Sequence, residues 1–401
     1  MEFKKGSVLE GVKVLDMGRV LSGPMCTSIL ADMGADVIKI ESLNGDDSRA
    51  SLPKKDGYSI YYLNFNRSKR GITLDLKAPK GKEIFTKLIK QSDVVVENFR
   101  AGVMAKLGFS YEDCAKINPG IIFASISGFG QKGPYANRAG FDPIAQAMSG
   151  IMSVTGAPGQ KRVRAGASIG DVMAAQNTAL AIVAALRHRD RTGRGQAIDV
   201  ALTDVCIIGL SSMNIVYLTN GTVPEPIGNG YAASAPGDSY PTKDGDDKIV
   251  ITTGTSHSMW LNLCDVLGHP EWKEAPEFLT NDDRVKNKPK LNAAIGEVTR
   301  QMDTNELVDK LLAAGLAVGP VYNIKQVAED EHFQAYREMF AEVDDPQIGK
   351  IKINNQSFKM SETTPYIRGS APGLGQHNNE VLKELGYTEK EIAEFGEMKV
   401  I

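Results

Sequence analysis

Val12-Lys13-Val14-Leu15, then Gly18-Arg19-Val20-Leu21-Ser22-Gly23-Pro24, then Gly34, then Val37-Ile38-Lys39-Ile40 follow one another in a single short stretch. The first apolar run predicts a buried strand, and the glycines after it predict a turn. Pro24 suits the opening turn of a helix and Gly34 suits its end. A second apolar run follows at once. Strand, helix and strand at this spacing make a βαβ unit, whose two strands run parallel.

The same grammar continues outward. Strands are predicted over residues 72–76, 94–96 and 121–126, separated by an amphipathic helix over 80–91 and shorter helices over 103–107 and 111–117. Strands alternating with helices imply a parallel sheet covered on both faces. An alanine-rich helix is predicted over 174–186, closed by Arg187-His188-Arg189, cations well placed for a helix C-terminus. Thr192-Gly193-Arg194-Gly195 turns into a strand over 197–202. Gly221-Thr222-Val223-Pro224-Glu225-Pro226 reads as a linker. Beyond it come a strand over 248–253 and helices over 256–267, 291–302 and 305–314, a block that ends near Gly319-Pro320. Strands return at 340–343 and 350–353, with helix after His377. The expectation is a large α/β domain built from residues 1–220 and 331–401, with a smaller α+β domain over 221–330.

Composition narrows the function. The chain has 401 residues, 42% hydrophobic and 24% charged, which excludes wholesale disorder. Forty glycines exceed the usual ~7% and point to backbone-lined sites. A net charge of −3 argues against nucleic acid as a partner, because phosphate neutralisation needs a basic surface. No unbroken apolar run approaches the ~20 residues of a membrane span, and Met1-Glu2-Phe3-Lys4-Lys5-Gly6-Ser7 lacks a secretory core. A soluble, cytoplasmic protein is expected, without a membrane partner. Cys26, Cys114, Cys206 and Cys264 lie far apart, and His188, His257, His269, His332 and His377 show no ligand spacing. Neither a disulfide framework nor a metal site is predicted.

Two features carry candidate chemistry. Gly128-Phe129-Gly130-Gln131-Lys132-Gly133 matches G-x-G-x-x-G after an apolar strand. A dinucleotide site needs a helix to open there, whereas Pro134-Tyr135-Ala136-Asn137-Arg138 reads as further loop. Glu41, ending the second strand, stands where a ribose-binding acid would. Asp171 lies in Ser168-Ile169-Gly170-Asp171, just before the alanine-rich helix. It reads either as an N-cap, the commoner use of such a residue, or as a nucleophilic carboxylate that the helix dipole keeps ionised.

Ordered segments along nearly the whole chain carry a resemblance. They are Leu9-Glu10-Gly11-Val12-Lys13-Val14-Leu15-Asp16, Ser22-Gly23-Pro24, Gly34-Ala35-Asp36-Val37-Ile38-Lys39-Ile40-Glu41 and Asn66-Arg67-Ser68-Lys69-Arg70. Leu74-Asp75-Leu76-Lys77, Val96-Glu97-Asn98-Phe99-Arg100, Ser127-Gly128-Phe129-Gly130-Gln131 and Gly170-Asp171 continue the series. Thr192-Gly193-Arg194-Gly195-Gln196 and Ala371-Pro372-Gly373-Leu374-Gly375-Gln376-His377 complete it. Together they resemble the class III CoA-transferases, of the formyl-CoA transferase and carnitine CoA-transferase type. The resemblance implies a Rossmann-like large domain, a smaller domain, and a homodimer of interlocked rings. It implies that Asp171 is the nucleophile and that CoA moves from an acyl-CoA to a small carboxylic acid. An aspartyl anhydride and an aspartyl-CoA thioester would be the intermediates, with CoA as substrate and no tightly bound cofactor or metal.

For CoA, the resemblance points to Val20, Leu21 and Ser22, to Leu74, Asp75, Leu76 and Lys77, and to Asn98, Phe99 and Arg100. It adds Lys106, often arginine in the family, and Phe141, which is either beside the CoA arm or an ordinary core residue. Arg19 and Ser42 replace a histidine and an arginine of some relatives. Gly228-Asn229-Gly230 stands where an oxyanion loop is placed, without the all-glycine tetrad of the formyl-CoA and oxalate members. An α-methylacyl-CoA racemase is the rival, but it needs histidine where Ala139-Gly140-Phe141-Asp142 has phenylalanine, which cannot exchange a proton. A non-catalytic CoA-binding protein is the other alternative, and a nicotinamide oxidoreductase rests on the glycine motif alone.

Overall fold

The computed structural model describes residues 4–401, and they divide into two compact units. The first comprises residues 4–151, 164–215 and 335–401. The second comprises 152–163 and 216–334.

Six strands form the sheet of the first unit: β1 (Lys13–Asp16), β2 (Asp36–Glu41), β3 (Arg70–Thr73), β4 (Val94–Glu97), β5 (Ile122–Ser127) and β6 (Ala197–Ala201). Their order is β3-β2-β1-β4-β5-β6, and every pair is parallel. Alternation along β1, β2, β4 and β5 serves both faces. Val14, Val37, Val94, Val96, Ile122 and Ala124 enter one buried cluster, while Leu15, Ile38, Ile40, Ile72, Val95 and Phe123 enter the other. Such strands read as continuous apolar runs because neither face meets water. The order reverses between β1 and β4. In open α/β sheets, ligands bind outside the carboxyl ends of the strands at such a point.

The helices Ser22–Asp32, Pro79–Gln91, Val103–Leu107 and Tyr111–Ile117 lie where the sequence places them. One strand is shorter than expected, ending at Thr73. Leu74 N–H still donates to Glu41 O, but Asp75 N–H donates to Val400 O and Lys77 N–H to Asp75 Oδ1. Residues 74–77 are therefore a loop at the carboxyl end of the sheet.

The alanine-rich helix runs further than predicted, over Ile169–Thr192, and stops at left-handed Gly193. By length and composition it could cross a membrane, contrary to the expectation from unbroken apolar runs. Its Ala174, Ala175, Ala179, Ile182, Ala185 and Leu186 instead pack in the cluster on one face of the sheet.

The end of the chain rejoins the first unit at edge strand β3. Gly71 N–H donates to His377 Nδ1 at 3.0 Å, and Thr73 N–H to Asn378 Oδ1 at 2.9 Å. A Cβ on Gly71 would sit 2.7 Å from Pro372, so this close approach requires glycine.

The second unit has a three-stranded antiparallel sheet, β7 (Gly237–Thr242), β8 (Gly245–Thr252) and β9 (Ala317–Pro320), with β8 central. The helices His257–Val266, Lys288–Thr299 and Thr304–Ala313 cover it, around Trp260, Tyr240, Leu263 and Ile249. Residues 152–163 belong with this unit although no composition break marks them.

Candidate active site

The loop after β1 is clamped from below by buried charges. Asp16 accepts from Gly18 N–H at 2.8 Å, from Thr27 Oγ1 at 2.8 Å and from Lys69 Nζ at 2.8 Å. Burial pulls the Asp16 carboxyl upward, but Lys69 and Lys39 outweigh it and hold it below the usual carboxylate range. Burial lowers Lys69 to about 8, partly offset by Asp16. Lys39, fully buried, donates to Gly18 O at 2.8 Å and to Asp46 Oδ2 at 3.0 Å.

Asp46 in turn accepts from Val20 N–H at 3.2 Å. Val20 has φ 64°, a conformation that is an outlier for a β-branched residue and persists only where surroundings enforce it. From the other side, Asn98 Oδ1 accepts from Arg19 N–H at 2.7 Å, and its Nδ2 donates to Arg19 O at 2.8 Å. A Cβ on Gly18 would lie 2.8 Å from Gly23 Cα. The loop is a fixed surface.

Two clefts open along it. One, of about 280 Å³, is lined by residues 74–77 together with Lys39, Glu41 and Asp46. The other, of about 510 Å³, is lined by Val20, Leu21, Ser22, Asn98, Phe99, Arg100, Phe141 and Asp171. Arg19, Phe99 and Val103 border both, so the two clefts adjoin at the switch in strand order. Lys106 lines neither cleft; it is exposed on the helix Val103–Leu107, whose end residues do. Phe141 is 70% exposed, which removes the reading of an ordinary core phenylalanine.

Asp171 is not an N-cap. Ser168 holds that position without a side-chain capping bond, and Asp171 is the third residue of the helix. Burial first, then the negative charge of Asp142, raises its carboxyl to about 6, while hydrogen bonding to Ser22 pulls it back down. The helix terminus thus does not hold the carboxyl low, yet at neutral pH the ionised form still dominates.

Asp142, which the sequence reading passed over as a functional residue, positions this segment. Its Oδ1 accepts from Gly170 N–H at 2.8 Å and its Oδ2 from Gln146 Nε2 at 2.7 Å. Gln146 Oε1 accepts from Ala165 N–H at 2.9 Å. Nothing in the spacing of Asp142 or Asp46 distinguishes them from surface acids.

A carboxylate of raised basicity, ionised and facing an open groove, can act as a nucleophile. Its ionisation should then set the acid limb of the reaction. The deprotonated form is the reactive one, so kcat/KM should be level above about pH 7 and fall about tenfold per unit below the carboxyl value of about 6. An unchanged rate between pH 7 and 5 would contradict this role.

The glycine motif at 128–133 does not open the helix that a dinucleotide site needs. The chain remains irregular from β5 until the helix Asp142–Met148. Gly130 N–H donates to Ser127 Oγ and Gln131 N–H to Asp199 Oδ2, both at 2.9 Å. A Cβ on Gly128 would lie 2.5 Å from Gly140 Cα, so the glycines serve backbone packing. Glu41 is paired with Arg49 at 2.8 and 2.6 Å and accepts from Asp46 N–H at 2.8 Å, leaving it committed.

Gly228, Asn229 and Gly230 lie in the second unit. There Gly228, left-handed with φ 71°, donates its N–H to Gly156 O at 3.0 Å, and Asn229 Nδ2 donates to Ser239 Oγ at 2.9 Å. Among the described residues no group of three or more His, Cys, Asp or Glu side chains is arranged to hold a metal ion. All four cysteines are free and buried.

Comparison with known proteins gives consistent matches over nearly the whole chain. The family model for CoA-transferase family III matches residues 9–378. The chain is 35% identical over 396 residues to the succinyl-CoA–D-citramalate CoA-transferase of Chloroflexus aurantiacus, covering 98% of each. It is 37% identical over 411 residues to the formyl-CoA:oxalate CoA-transferase of Rhodopseudomonas palustris, covering 96% of this chain and 95% of that one. A solved CaiB/BaiF family protein from Brucella suis superposes with a TM-score of 0.85 at 35% identity, over 94% of this chain and 99% of that one.

Proposed function

We propose a mechanism for a chain that belongs to CoA-transferase family III: Asp171 is its nucleophile, and CoA passes through that residue from an acyl-CoA to a small carboxylic acid. The observation that carries the reading is the Asp171 carboxylate, ionised at neutral pH and open to the groove between the loops after β1 and β4.

The Asp171 carboxylate attacks the thioester carbon of the donor and expels CoA thiolate, leaving an aspartyl acyl anhydride. The thiolate attacks the aspartyl carbon and releases the donor acid, giving an aspartyl-CoA thioester. The acceptor carboxylate displaces the thiolate, which then captures the acceptor's acyl group. One hard exchange becomes four easier ones, with no net proton transfer. The loop containing Val20, Leu21 and Ser22 and the loop containing Asn98, Phe99 and Arg100 are proposed to hold the CoA arm. Residues 74–77 lie in the adjoining cleft, where Lys77 offers a cation to a phosphate. The strand order of the sheet supports the Rossmann-like description of this unit.

The named relatives act on different acids, so the pair used here is found by experiment. A panel of acyl-CoA donors against mono- and dicarboxylic acids, read by mass spectrometry, should give one preferred pair. Hydrolysis of every donor with no acceptor product would contradict a transferase reading of the site.

The enzyme is also proposed to work as a homodimer. Leu180, 69% exposed on the long helix, and Ile208, 77% exposed on the helix Leu202–Gly209, are large apolar groups that a second copy would cover. Light scattering at micromolar concentration should give twice the chain mass, and a stable monomer would overturn the dimer.

A further inference from the structure

The four steps proposed above place their tetrahedral centres on two kinds of carbon. In the first and last, the centre is the carbonyl carbon of the donor or acceptor acyl group. In the second and third, it is the carboxyl carbon of Asp171. There the incoming sulfur or oxygen forms its bond, and the C=O π pair moves onto an oxygen of Asp171. That pair returns as the C–O bond of the anhydride or the C–S bond of the thioester breaks, and the leaving group carries its electrons away. An oxyanion therefore forms on the aspartate itself and needs its own donor.

The geometry beside Asp171 supplies one. Ser22 is buried, 3% exposed, and lines the same cleft. Asn98 Nδ2 donates to Ser22 Oγ at 3.2 Å. The Asn98 amide has a single sensible orientation, because its Oδ1 accepts from Arg19 N–H and its Nδ2 donates to Arg19 O. Reversing it would place like against like at both contacts. With a donor occupying one lone pair of Ser22 Oγ, the hydroxyl hydrogen is free for a different acceptor. The same cleft is lined by the Asp171 carboxylate, which the Ser22 hydroxyl draws lower than burial alone would leave it.

We propose that the Ser22 hydroxyl is the hydrogen-bond donor to the oxyanion that forms on Asp171, in the two steps whose tetrahedral centre is the aspartyl carbon. Asn98 is the positioning residue that orients it. The inference rests on the mechanism above and deepens it. A donor to Asp171 has opposite effects on different steps. It stabilises the attacking carboxylate and so does not help the first step, but it strengthens as the neutral anhydride oxygen becomes an oxyanion in the second. Ser22→Ala should separate them.

The full-length enzyme is mixed with a donor acyl-CoA, without acceptor, quenched at short times and weighed intact. Wild type should pass from an acyl adduct to a CoA adduct on Asp171. In Ser22→Ala the acyl adduct should form no more slowly, while conversion to the CoA adduct falls about 10²–10³-fold. The acyl adduct therefore accumulates. The acid limb of the first step should move to higher pH, since Asp142, whose charge raises Asp171, and Tyr61 and Cys206, which its charge raises in turn, are unchanged. Ser22→Thr keeps the hydroxyl and should convert at a rate near wild type. Conversion at the wild-type rate in Ser22→Ala, or equal slowing of both adducts in both variants, overturns the inference and leaves the Asp171 mechanism intact. Neither adduct on Asp171 in the wild type overturns both.

Discussion

Asp171→Asn is expected to abolish transfer while leaving the protein folded. The amide cannot form an anhydride, so transfer should fall by about 10⁴–10⁶-fold, the scale on which enzymes lose activity when a group of the reacting set is removed. Stability should not fall with it. Ser168, not Asp171, occupies the N-cap position, so no cap is lost. The folded state raises the Asp171 carboxyl, chiefly through burial, so its charge opposes folding at neutral pH, and a neutral amide removes that opposition. The melting temperature should stay level or rise. CoA should still bind, because its proposed contacts lie on other loops. A variant that transfers at a comparable rate would reduce the carboxylate to a structural residue.

Asp46→Ala carries the largest expected loss of stability. Lys39 and Asp46 are paired at 3.0 Å with their side chains 0% and 1% exposed. Removing the carboxylate leaves an ammonium buried without its direct partner, which costs about 3–5 kcal/mol in comparable pairs. Asp16, which also interacts with Lys39, places the expected loss toward the lower end. The same change removes the acceptor of Val20 N–H, so the loop should relax and CoA affinity should drop. Asp46→Asn separates the two effects, because it keeps an acceptor for Val20 but not the charge. Urea unfolding should therefore rank wild type above Asn and Asn above Ala. A loss below about 1 kcal/mol in the alanine variant would show that the buried pair does not hold this loop.

The opening βαβ unit was legible because its strands are buried on both faces and so read as short apolar runs between glycines. The helices Val103–Leu107 and Tyr111–Ile117 are where the sequence places them; the second carries a capping box, with Ser110 and Asp113 bonded reciprocally, a strong local signal. Elsewhere tertiary partners decide. The apolar character of Ile72 and Leu76 suggests a strand through 76, but the chain leaves the ladder after Thr73 to meet Val400, far off in sequence. β7 contains Pro241, which speaks against a strand in sequence; it is an edge strand, where proline is tolerated. Asp171 looked like a cap because an acid in a helix's first turn and an acid at its cap answer the same dipole. The clamps by Asp46 and Asp142 were invisible, since each depends on backbone groups brought together only by folding.

The central claim is that the acyl group and CoA are carried in turn by Asp171. The direct test is to mix wild-type protein with a donor acyl-CoA, quench with hydroxylamine and map the modified peptide. Hydroxylamine attacking the aspartyl carbon, in the CoA thioester or in the anhydride, leaves a hydroxamate on the aspartate and releases CoA or the donor acid, so the mass change should fall on the peptide containing Asp171 and be absent from Asp171→Asn. A hydroxamate on another residue, or transfer at full rate with no modified peptide, would contradict the mechanism.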